Sequence, residues 1–193
     1  MRKLITPNGI RLGIDNFLWE RNGYRPVTYV DISCGDYGYK LKFTSYEDEI
    51  RAVNTEHNTD VCTNSCVEFF VRFDAENDSG YFNFEMNPNG AMYCSFRQSR
   101  EDFDFVLPQV IDTFGISAKI FDDRWEVSYT VPLEFIRSYL PDYRHESGHV
   151  IYANFYKCGD SAPLPHYAAW NMIPLEHPDF HCPEFFGALE LAF

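Results

Sequence analysis

A chain of 193 residues that is 45% apolar can bury a sizeable core and is too hydrophobic to stay disordered, which points to one globular domain spanning residues 1–193. Its formal charge of −13 repels phosphate backbones and anionic bilayers, so nucleic acid and membrane partners are disfavoured against neutral ligands or cations such as Ca²⁺. Aromatic residues reach 18%, a share that suits an all-β protein whose rings pack on pleated surfaces.

The first residues, MRKLITPNGIRLG, carry basic side chains without an apolar run behind them and do not read as a secretory signal. That predicts a cytoplasmic protein if the chain is complete, or a secreted one whose signal has been removed. No apolar run is long enough to span a membrane. Residues 1–26 hold strand-like fragments and Trp19. Thr28 to Ser33 and Tyr39 to Thr44 alternate in polarity around Cys34-Gly-Asp-Tyr-Gly38, the pattern of a hairpin. Tyr46 to Asn64 is polar and loop-like, with a short strand predicted at Ile50 to Val53.

The stretch from Cys66 to Phe96 organises the rest. Three runs of strand formers, Val67 to Phe73, Tyr81 to Asn87 and Ala91 to Phe96, are separated by clusters of Gly, Pro, Asn and Asp, which predicts an antiparallel meander. Asn89-Gly90 can supply the positive φ of a tight turn. In the second run Phe82, Phe84 and Met86 share one face and Tyr81, Asn83, Glu85 and Asn87 the other. The polar, partly aromatic face is the natural place for a ligand.

Further on, Ser99 to Leu107 is acidic and aromatic. Gly115 to Ile120 and Arg124 to Val131 alternate around Phe121-Asp-Asp123, and Pro132 to Leu140 has helical spacing with Pro at the start. Val150 to Tyr156 and Phe185 to Phe193 read as strands. Lys157 to Pro183, rich in Pro and His, shows no periodicity, and loops of that length in compact domains tend to carry function. Many short strands with one short helix predict an antiparallel β-sandwich of jelly-roll type.

Six cysteines, at 34, 62, 66, 94, 158 and 182, are scattered over strands, which favours buried free thiols over disulfides; Cys62 and Cys66 form a C-x3-C pair with no second pair at zinc-ribbon spacing. Asp74, Glu76 and Asp78, with Asp60, are candidate oxygen ligands for Ca²⁺, although the turn lacks the distal Glu of an EF-hand. A solvated acidic turn is the competing reading. The histidines all fall outside the stretch of helical spacing, which disfavours a zinc reading.

The order of motifs resembles family 9 carbohydrate-binding modules over roughly residues 25–193. Ser65-Cys-Val-Glu-Phe-Phe70 is similar to that family's DS-VE-(I/V)F strand, and Tyr81 to Gly90 to the aromatic-then-Asn strand after it. Arg124-Trp-Glu-Val-Ser-Tyr-Thr-Val-Pro132 looks like its W-x-(V/A)-E-x-x-I-P segment, and Ala153-Asn-Phe-Tyr156 like its F-N-(I/F) strand. Trp170 and Phe180-His-Cys-Pro-Glu-Phe-Phe-Gly187 match its closing motifs. The resemblance implies a β-sandwich that binds sugar without catalysis, two tryptophans that sandwich a sugar ring at a chain end, and calcium that supports the fold. The position of the first tryptophan falls at Cys62 and that of the second at Phe180. The strand Glu is Glu68, and the family's Arg-x-Asn pair falls at Glu85 and Asn87.

Sugars are held by rings against their C–H faces and by planar polar groups on their hydroxyls. On this basis the candidate ligand residues are Phe180, His181, Glu68, Glu85, Asn87, Trp170 and Arg97, with Arg97 or Arg100 as a replacement donor. Trp170 and Trp125 have core packing as their alternative role. The expected function is non-catalytic binding of a sugar chain end or small saccharide, with no cofactor required. Two other readings stay open: a glycoside hydrolase that uses Glu68 and Glu85 as paired carboxylates, and a structural or protein-interaction sandwich that no longer binds sugar.

Overall fold

The computed structural model describes residues 2–20, 22–77 and 80–193. Among the described residues, fourteen strands form two sheets packed face to face. The smaller sheet has β2 (Ile10–Gly13), β4 (Val27–Gly35), β5 (Gly38–Tyr46), β10 (Ser117–Ile120) and β11 (Trp125–Pro132), in the order β10-β11-β5-β4-β2. The larger follows β1-β14-β12-β6-β7-β8-β9, from β1 (Lys3–Ile5), β6 (Cys66–Arg72), β7 (Tyr81–Met86), β8 (Met92–Arg97), β9 (Phe103–Phe105), β12 (Val150–Cys158) and β14 (Gly187–Leu191). Two further short strands, β3 (Asn16–Phe17) and β13 (Tyr167–Ala169), attach beside β12.

The predicted hairpin is β4–β5, closed at the Gly35↔Gly38 pair. The predicted meander is β6–β7–β8. Among the described residues, pairing is antiparallel except that β1 runs parallel to β14. The single expected helix is α2 (Leu133–Tyr139), and a second, one-turn α1 (Pro108–Ile111) sits in what reads as an irregular stretch. Among the described residues no helix is long and apolar enough to cross a membrane.

Alternation explains the layers. One face of the large sheet presents Phe69, Phe84 and Phe155 inward, and these rings stack on one another, Phe69 on Phe155 at 5.1 Å and on Phe84 at 5.8 Å between centroids. Facing them are Val30, Leu41, Phe43, Trp125, Val127 and Val131 of the small sheet, all buried. Each large apolar side chain moved from water into such a core contributes about 1.5–3 kcal/mol.

The Ile50 to Val53 segment forms no strand. Its backbone is held by side chains instead: Asn64 Oδ1 accepts from the N–H of Val53 and of Asn54, and Ser65 Oγ from that of Arg51. All six cysteines are unpaired, five of them buried.

Candidate functional site

The outer face of the large sheet is a grid fixed by register. Tyr156, Glu68, Glu85 and Tyr93 form one row across β12, β6, β7 and β8. The next row along is Asn154, Phe70, Asn83 and Ser95. Tyr81 and Arg97 pair in the row beyond. Because strand side chains alternate, this face is as polar as the opposite one is dry. It is nevertheless buried, since the segment between β13 and β14 folds across it.

A cleft of about 300 Å³ remains between that cover and the sheet. Glu68, Glu85, Arg97, Phe180 and His181 all line it, so register and loop together gather five of the seven residues singled out in the sequence. Asn87 and Trp170 are not among its walls. The Asn87 amide is spent on the turn after β7, its Oδ1 accepting from the N–H of Asn89 and Ala91 and its Nδ2 donating to Asn54 O. Trp170 packs edge-on against Phe155 at 5.7 Å and lies over Gly187, where an added Cβ would come within 2.5 Å of the ring.

Sequence reasoning leaves one aromatic wall vacant at Cys62, and Cys62 does line the cleft. The structure adds rings from elsewhere. Trp19, Tyr93 and Tyr167 line the same cleft. Trp19 comes from the segment after β3 and has a left-handed backbone with φ 50°, rare for an aromatic residue and a mark of positions held for a purpose. Its indole N–H donates to Leu175 O at 2.8 Å, and its ring lies 5.8 Å from that of Phe180. No local sequence signal marks Trp19, whose place depends on the pairing of β3 with β13. Phe180 itself stacks flat on Tyr156 at 4.1 Å, so one of its faces is already covered.

The polar groups are held in fixed orientations. Arg97 is buried, with Nε on Asn83 Oδ1, Nη1 on Arg100 O and Nη2 on Tyr93 OH, and its guanidinium lies 4.0 Å over the Phe103 ring. Three of its five N–H donors are thereby used, which leaves two for a ligand. Glu85 Oε1 accepts from Asn83 Nδ2 at 2.7 Å, and Glu68 Oε1 from the Cys158 thiol at 3.0 Å. Burial raises both carboxyls: Glu68 well above the usual carboxylate range, with Glu85 opposite adding to the effect, and Glu85 to about 7 despite the Asn83 bond and Arg97. His181 takes Tyr81 OH on Nδ1 at 3.0 Å and is pushed down to about 4 by burial, then by Arg97 and Arg100.

The acidic turn lies elsewhere. Asp74 Oδ2 accepts from Asn77 Nδ2 at 2.7 Å, Glu76 projects into solvent with Arg144 3.9 Å away, and Asp78 lies outside the described residues. Among the described residues, no cluster of three possible metal ligands includes Asp60, Asp74 or Glu76.

Stacking rings beside a locked cation and buried carboxyls suit a polyhydroxylated ligand. The sequence profile of carbohydrate-binding family 9 matches residues 4–191. The chain belongs to carbohydrate-binding family 9. Its members bind carbohydrate without catalysis, and non-catalytic carbohydrate binding is the function of this family 9 chain. Paired carboxylates on β6 and β7 therefore do not make it a hydrolase. Among solved structures, a candidate carbohydrate-binding protein from Bacteroides uniformis ATCC 8492 superposes with a TM-score of 0.85 at 25% identity, over 99% of this chain and 97% of that one. Two family 9 modules from Caldicellulosiruptor kristjanssonii share the fold: a glucose complex (TM-score 0.67, 10% identity, 100% and 96% covered) and a cellotriose complex (TM-score 0.68, 11% identity, 99% and 93% covered). No curated protein sequence matches the chain.

Proposed function

We propose that the outer-face cleft is the saccharide site and that it takes a sugar chain end or a small saccharide. The observation that carries this reading is the convergence of buried Glu68, Glu85 and Arg97 with the rings of Trp19, Tyr93 and Phe180 around one opening of about 300 Å³. That volume is at the small end for ligand sites, which favours one or two sugar rings over an extended chain. Rings take the C–H faces. The two spare Arg97 donors meet hydroxyl oxygens, and a protonated carboxyl can both donate to and accept from hydroxyls. These contacts need no cofactor.

The test is titration calorimetry of the full chain with glucose, cellotriose and a panel of other mono- and oligosaccharides. At least one should bind, and Trp19→Ala and Glu85→Gln should each weaken it tenfold or more with the fold intact by circular dichroism. Binding that neither substitution alters would place the saccharide somewhere other than this cleft.

A further inference from the structure

On the floor of the cleft, Glu68 of the saccharide site sits beside two thiols, Cys66 and Cys158, that saccharide contacts do not require. Cys66 and Glu68 lie two positions apart on β6 and so project from the same face. Cys158 is the direct cross-strand partner of Cys66 on β12. Three potential metal ligands are thus brought together by strand alternation and register alone. One donor atom from each lies within 4.8 Å of the others, and Cys158 Sγ is 3.0 Å from Glu68 Oε1. All three are buried, and neither thiol is in a disulfide. Glu68 and Cys158 line the cleft, which gives an ion its way in.

The donor set selects the ion. Two thiolates and a carboxylate suit a borderline-soft cation that accepts few ligands, whereas calcium needs six to eight oxygens. With Zn–S near 2.3 Å and Zn–O near 2.0–2.2 Å, tetrahedral zinc would set these donors about 3.5–3.8 Å apart, a small adjustment of the spacing present. Asp60 and Asp160 also line the cleft, beside the Arg100–Asp179 ion pair and Arg97, and their charge favours a cation.

We propose that Cys66, Glu68 and Cys158 form a three-ligand site for zinc or a similar thiophilic divalent cation, with the fourth position open to the cleft and filled by water. Binding forms two metal–sulfur bonds and one metal–oxygen bond, and the two thiol protons and the Glu68 carboxyl proton pass to the buffer. Nothing in it depends on which saccharide the cleft accepts.

The probe is Co²⁺, added to the full-length chain after chelator treatment and with its thiols kept reduced. The wild type should saturate at one equivalent, gain near-ultraviolet thiolate-to-cobalt absorption and visible bands of tetrahedral Co²⁺, and lose both when Zn²⁺ is added. Cys158→Ser and Cys66→Ser should weaken uptake at least tenfold. Cys34→Ser, whose thiol lies against Ile5 O, should leave it unchanged. A reduced wild type that stays colourless, which needs no variant to fold, overturns the proposal, as does full cobalt–thiolate absorption in Cys158→Ser. A chain that binds sugar but not Co²⁺ would refute the metal site alone, and one that binds Co²⁺ but no sugar would refute only the saccharide reading.

Discussion

Lys157 of the large sheet reaches through the core to Glu47, which follows the last residue of β5 in the small sheet, with Nζ 3.2 Å from Oε2 and both side chains fully enclosed. The pair is the centre of a closed network. Lys157 Nζ also donates to Cys158 O and to His166 Nε2, while Glu47 accepts from Trp125 Nε1 and Ser65 Oγ. It ties β12 of the large sheet to the small sheet.

Breaking one side of that pair leaves a buried charge alone. Lys157→Met should lower unfolding free energy by about 3–5 kcal/mol. Adding Glu47→Gln, which keeps an acceptor for Trp125 while removing the charge, should recover part of the loss. Urea unfolding of both variants reads this; a single variant within about 1 kcal/mol of wild type would mean that water reaches the pair.

His166 gives the fold a pH dependence. Its Nδ1–H donates to Leu164 O at 2.7 Å, and its bare Nε2 accepts from Lys157, so the neutral tautomer is the one that fits. Tyr24 packs edge-on against the ring, and Glu47 Oε1 is 3.7 Å away. Burial, then Lys157, pushes the imidazole down to about 4. The unfolded chain takes up the proton below about 6.5 and the folded chain resists it to about 4. Stability therefore falls as pH drops across that window, by at most about 1.4 kcal/mol per pH unit from this group, and His181 acts in the same direction. Glu68 and Glu85, raised by burial, act in the opposite direction, so replacing His166 by Gln should make the slope of urea stability against pH between 4.5 and 6.5 less positive. An unchanged slope would assign the effect to other groups.

Trp170 separates packing from binding. Truncating it to Ala should cost about 3–5 kcal/mol of stability and leave saccharide affinity per folded molecule unchanged. Gly187→Ala, forced against the same ring, should cost about 1–3 kcal/mol. If Trp170→Ala instead weakened sugar binding in a fully folded chain, the tryptophan would have to reach the ligand after all.

Phe180 has one face covered by Tyr156, so its truncation should do two things at once. Phe180→Ala should weaken saccharide binding roughly tenfold and also loosen the cover over β6, read as faster amide exchange at Phe70 and Tyr156. Phe180→Tyr should keep both close to wild type. Loss of protection with full affinity would make Phe180 a support and leave Trp19 as the ring in contact.

Period-two alternation made β6, β7 and β8 legible, and with them the placing of Glu68 and Glu85 on one polar face. Their direct opposition was foreseeable because a meander fixes neighbouring registers. The β4–β5 hairpin was legible from its glycine-flanked turn. What escaped depends on partners distant in sequence. Trp19 enters the cleft through a two-residue strand that exists only beside β13. Tyr167 to Ala169 has no strand signal of its own beyond what β12 supplies. The Ile50 to Val53 run alternates like a strand, yet Asn64 takes the backbone donors that a ladder would use. Asn87 shares the polar face of β7 by parity, but its amide turns to the backbone of the adjoining turn.

The parallel pairing of Lys3–Ile5 with Leu189–Leu191 has a kinetic consequence. β1 has no ladder to join until β14 is made, so contact order is high and the loop to be closed runs from Ile5 to Gly187. The β6–β7–β8 meander, made of neighbours in sequence, can form early. The edge where β1 meets β14 should close last, and refolding should be slow for a domain of this size.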